Sequence, residues 1–182
     1  EISAGASAGS AGAISIVTGD GGSDGARGGD LTLKAGTGLN GDGGELTIRT
    51  SNSAYSGDSG SVTISSGTSA AGQTGDLSLE TGSSTELNSG DIRIAIGESS
   101  SGRGGQIQID AGVAPTSSGG EISLHGGDSE YSTGGSISLR TGQSVYSSTG
   151  SMEIATSNAG ISGTSGRITI STGTSSFGST GT

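Results

Sequence analysis

Pairs of large aliphatic residues, separated by one polar position, recur along this chain at a nearly constant interval. The unit reads Gly-x-Φ-x-Φ-x-small-Gly, where Φ is aliphatic. It starts at Gly12, Gly29 and Gly44 and recurs to Gly150 and Gly166, eleven times in all, at steps of 15 to 17 residues. The Φ positions run from Ile14 and Ile16 through Leu31 and Leu33, and Leu46 and Ile48, to Ile168 and Ile170. All 22 of them are aliphatic. The opening "EISAG" fits as the tail of an earlier copy, with Ile2 in the place of Ile16. Alternation of period two, rich in Ile and bounded by Gly, predicts a short strand in each unit. Glycine at this density opposes a helix, at a cost of ~1 kcal/mol for each interior position.

A fifteen-residue unit is too short for a propeller blade or a leucine-rich repeat. The expected fold is all-β: a β-solenoid of the parallel β-helix type with about 15 residues per coil and about 12 coils. Each strand would pair with its equivalent in the next coil, ~4.8 Å away. Φ side chains such as Ile109 and Leu124 would point inward, and pairs such as "TG" at 81–82 and 141–142 would turn the chain. The return side, with Ser69, Ser84, Ser99, Ala114, Ser129 and Ser144, would place small groups inward. A flattened two-layer coil with a thin core is favoured, and a three-sided coil is the runner-up. Two aliphatics per unit cannot fix fifteen backbones alone, so stability is expected to be collective.

Composition changes the picture in three ways. The 182 residues include 40 Gly, one Pro and no Cys, and only 27% are hydrophobic. Such a balance usually signals low-complexity disorder, and the strict register of the aliphatics argues against it. The net charge of −10, from 17 acidic and 7 basic residues, argues against nucleic acid or an anionic membrane as partner. No apolar run approaches a membrane span, so membrane insertion is not expected. The chain opens inside a repeat and closes where another would begin. Residues 1–182 therefore read as a single solenoid segment of a longer repetitive chain, without caps, free to associate end to end or with neighbouring repeats.

Candidate chemistry is sparse. Tyr131 and Tyr146 lie fifteen residues apart in near-identical stretches, "GGDSEYSTGG" and "TGQSVYSSTG". They are expected to form a stacked aromatic column on the return face. In "GDGGSDG", Asp20 and Asp24 are candidate calcium ligands on one oxygen-rich turn, although calcium takes six to eight oxygens. Otherwise no cofactor is expected. The solvent side of the Φ segment carries an acidic column (Asp30, Glu45, Asp76, Asp91, Glu121) and a mixed one (Lys34, Arg49, Glu80, Asp110, His125, Arg140). Between them runs a Thr- and Ser-rich column broken by Arg93, Gln108 and Glu153. His125 is the one histidine, and nothing in the pattern builds a pocket around it. The chain is not expected to be an enzyme.

The phrases "GGEISLHGG", "GGSISLRTG" and "GRITISTGT" resemble Gly/Ser/Thr-rich β-solenoid repeats of secreted surface proteins. Filamentous haemagglutinin-type adhesins and repetitive cell-surface filament proteins of microalgae are the nearest likenesses. The resemblance implies an extracellular or cell-surface, non-catalytic, rod-like part, and it transfers no site residues. The expected function is a structural or adhesive rod, the shaft segment of an extracellular filament or surface fibre. The alternative is a binding module that offers a flat solenoid face to ice or to an extracellular polysaccharide.

Overall fold

In the computed structural model, which describes residues 2–6, 11–22 and 25–181, the chain alternates short extended segments with small closed loops. It divides into two units, Glu1–Arg93 and Ile94–Thr182, and the same local pattern runs through each.

The closed loops begin at the small-Gly pair. In the first unit, the N–H groups of Gly12, Gly29 and Gly44 donate to the carbonyls of Gly5, Gly19 and Gly36 at 3.1, 2.9 and 2.9 Å. In the second, Gly120, Gly135 and Gly150 donate to Gly112, Gly127 and Gly142 at 2.9, 2.8 and 3.1 Å. Loops of this length cost little entropy to close. Glycine is needed here because two stretches of backbone meet: a Cβ on Gly135 would stand 2.8 Å from the Gly127 nitrogen. Positive φ is a separate matter, found among the described residues at Gly25 (77°) and Gly57 (119°).

Serine shapes the far end of many loops. The hydroxyls of Ser69, Ser84, Ser99, Ser129, Ser144 and Ser175 accept the backbone N–H three residues on, at 2.8 to 3.1 Å. Such local side-chain to backbone bonds give the chain an alternative to a sheet ladder. Ala114 occupies the place of that serine in one loop. There Pro115 begins the turn, its ring fixing φ where a turn requires it.

Between loops the chain is extended, and its side chains show the two-residue alternation of a strand. Thr47 Oγ1 donates to Glu45 at 2.9 Å, Ser78 bonds Glu80, Gln108 bonds Asp110, and Ser123 bonds His125 Nδ1 at 3.0 Å. Each of these joins residues i and i+2 on one face, which leaves the Φ pair on the other.

The β-solenoid expected from the repeat, whether flattened or three-sided, is not formed. The described residues contain no strand, no sheet and no helix. Nearly all close approaches join residues fewer than twelve apart in sequence, whereas coil-on-coil stacking would join residues fifteen apart. The physical reason is local. Turn residues are spent on local bonds, six necks closed backbone to backbone and other loops bent by a serine hydroxyl, and two aliphatics per unit do not outweigh the entropy of ordering a coil. Ile109 and Leu124 are therefore exposed, not inward, and Ser69, Ser84, Ser99, Ser129 and Ser144 set turns and line no core. The flat solenoid face required for ice or polysaccharide recognition is absent from the described residues for the same reason.

The segments flanking a loop also fail to pair with each other, and register accounts for this. Prolonged as an antiparallel ladder, the Gly36–Gly44 bond would set Leu33 opposite Thr47 and Lys34 opposite Leu46. A slip of one residue turns every side chain to the wrong face. The same parity holds at all six necks, and among the described residues no backbone–backbone hydrogen bond joins the arms beyond the neck.

Candidate functional site

The feature common to every repeat is an uncovered aliphatic pair. Among the described residues none is buried. The first Φ of each unit is 50–58% exposed and the second 62–88%. So narrow a band at the first position, from Ile14 to Ile168, means that one local conformation repeats along the chain. The backbone of these segments is equally unused. Among the described residues, only the six loop necks carry backbone–backbone hydrogen bonds, so the N–H and C=O groups of the extended segments are free to accept a partner strand.

The loop tips are the second feature. Tyr55, Tyr131, Tyr146 and Phe177 sit in the bends of their loops. Tyr131 is 91% and Tyr146 99% exposed, each standing clear at the apex of its own loop. The Ser129 and Ser144 hydroxyls just before them tighten those apices. Sequence reading assigned these serines to a core. The signal for their turn-setting role is their place immediately before the loop apex, where a hydroxyl competes for backbone N–H groups.

Asp20 is exposed at the start of its loop, and Asp24 lies outside the described residues. No group of three or more His, Asp or Glu side chains that could hold a metal ion occurs among the described residues. His125 lies on an extended segment beside Ser123. Arg27 pairs with Asp30 at 2.7 Å in open solvent, where an ion pair contributes little. A concavity lined by Glu153, Ala155, Thr156, Ser157 and Asn158 is polar and open, formed by one short stretch of chain. No helix among the described residues is long and apolar enough to cross a membrane. Comparison with protein-family models, curated proteins and solved structures finds no match to this chain.

Proposed function

We propose that this chain is a structural segment of an extracellular or cell-surface filament or fibre, and that it works by associating with further copies or repeats of itself. The observation that carries the reading is the series of Φ pairs, every member at least half exposed, with the first position repeated in one narrow band of exposure. A single chain gains little from a pattern so regular and so uncovered. Many chains side by side gain from every repeat, because each added neighbour buries another pair.

The surface opposite the Φ pairs is polar and the net charge is −10, which keeps the unassembled chain dispersed. The exposed tyrosines at the loop tips suit contact with extracellular glycans, since an aromatic face is amphipathic and needs no pocket. Electron microscopy of the native material tests the reading. Long uniform fibres are expected, and separate short particles at every concentration would overturn it.

A further inference from the structure

We propose that the extended segments 30–34 and 45–49 dock antiparallel onto the same segments of a second copy of this chain. The proposal rests on the structural reading above and names its partner and its orientation.

The argument begins with order of charge. Segment 30–34 reads Asp-Leu-Thr-Leu-Lys and segment 45–49 reads Glu-Leu-Thr-Ile-Arg. Each has an acid first, a base last and the Φ pair symmetric about a central Thr. Read backwards, either sequence complements itself. A two-fold axis through Thr32 sets Asp30 beside Lys34 of the second copy and Leu31 beside Leu33 of the second copy, the self-complementary contact of an isologous interface. Crossing the two segments works equally well, with Asp30 beside Arg49 and Lys34 beside Glu45. Parallel in-register docking of identical copies opposes Asp30 to Asp30 and Lys34 to Lys34. Like charges directly opposite destabilise a strand pair, and opposite charges stabilise it.

The structure supplies the remaining conditions. Leu31, Leu33, Leu46 and Ile48 are all exposed, and the backbone groups of both segments have no backbone partner among the described residues. Pairing within the chain is set against by the neck, whose Gly44 to Gly36 bond puts the aliphatics of the two arms on opposite faces. A second copy carries no such constraint and can slide into the register in which Φ meets Φ. Asp30 keeps its Arg27 partner at little cost, because that pair is itself in solvent. Segment 76–80, with Asp76 and Glu80 at its two ends, lacks this order, and two copies of it repel.

The test exchanges the charges in place. One variant carries Asp30→Lys, Lys34→Asp, Glu45→Arg and Arg49→Glu, which leaves the net charge unchanged. The chain has no cysteine, so Ser65→Cys in each protein accepts a single donor or acceptor dye. Antiparallel docking predicts self-sorting. Energy transfer within the parent and within the exchanged variant is strong, while the mixture associates at least about tenfold more weakly. The difference shrinks in high salt. A mixture that associates as well as, or better than, either protein alone overturns the antiparallel proposal and leaves self-association standing. Absence of transfer in every combination, with a monomeric sedimentation profile throughout, overturns both this proposal and the structural reading beneath it.

Discussion

The Gly135 N–H donates to the Gly127 carbonyl at 2.8 Å, and a Cβ added to Gly135 would stand equally close to the Gly127 nitrogen. That contact is backbone against backbone, so no side chain can swing away to make room. Gly142, one residue type and seven positions later, has nothing within 4 Å of a built Cβ.

The pair predicts opposite outcomes for the same substitution. Gly135→Ala opens the neck and forfeits its hydrogen bond, at a net cost of about 1 kcal/mol to that loop. Gly142→Ala is neutral or stabilises by roughly 0.4–1 kcal/mol, through the reduced freedom of the unfolded chain. Amide exchange at residue 135 and at Gly150, read by NMR, reports the two effects separately.

Serine at the loop shoulder sets the turn. Ser129→Ala removes the acceptor of the Ser132 N–H, and that amide is expected to exchange several-fold faster, in line with a loss of about 1 kcal/mol. Ser138→Ala, on the open face of an extended segment, is expected to leave its surroundings unchanged. Thr at position 129 keeps the hydroxyl and is expected to restore protection.

The proposed assembly requires the aliphatic pairs to act between chains and not within one. Ile109→Asp or Leu124→Asp is expected to leave the circular dichroism of the dilute chain unaltered, because both side chains are exposed. The same variants should weaken concentration-dependent association, which light scattering measures. Loss of structure in the dilute chain would mean that these residues have a core after all.

The loop-tip tyrosines are open to solvent. Tyr55, Tyr131 and Tyr146 are all at least nine-tenths exposed, so acrylamide is expected to quench tyrosine fluorescence about as efficiently as it quenches the free amino acid. Replacing Tyr146 with Ser should leave the amide exchange of its loop as it was.

Local geometry was legible in the sequence, and pairing was not. Leu46 and Ile48 alternate with Glu45, Thr47 and Arg49, which announces two distinct faces, but the strand expected from that alternation is not formed. Glycine spacing announces close backbone approach, as at Gly120 and Gly135. A fifteen-residue period, however, is compatible both with coils stacked fifteen residues apart and with loops closed eight residues apart, as between Gly36 and Gly44. The serines at 69, 84, 99, 129 and 144 set local turns by bonding backbone groups that a ladder would otherwise use, and at 129 and 144 the neck of the same loop is also closed. Their hydroxyls were read as small and packable when their hydrogen-bonding capacity was the informative property. Tyr131 and Tyr146 were legible as repeats of one position, and their setting at loop apices follows from those same serines.

Far-ultraviolet circular dichroism followed from dilute to concentrated solution, with sedimentation velocity on the same samples, tests the central claim most directly. The claim is that a single chain leaves its aliphatic ranks uncovered and covers them by joining other copies. The expected result is little β-sheet signal in the dilute monomer, with the signal growing in step with assembly. A full β-sheet signal in a dilute, demonstrably monomeric chain, unchanged on concentration, would contradict it.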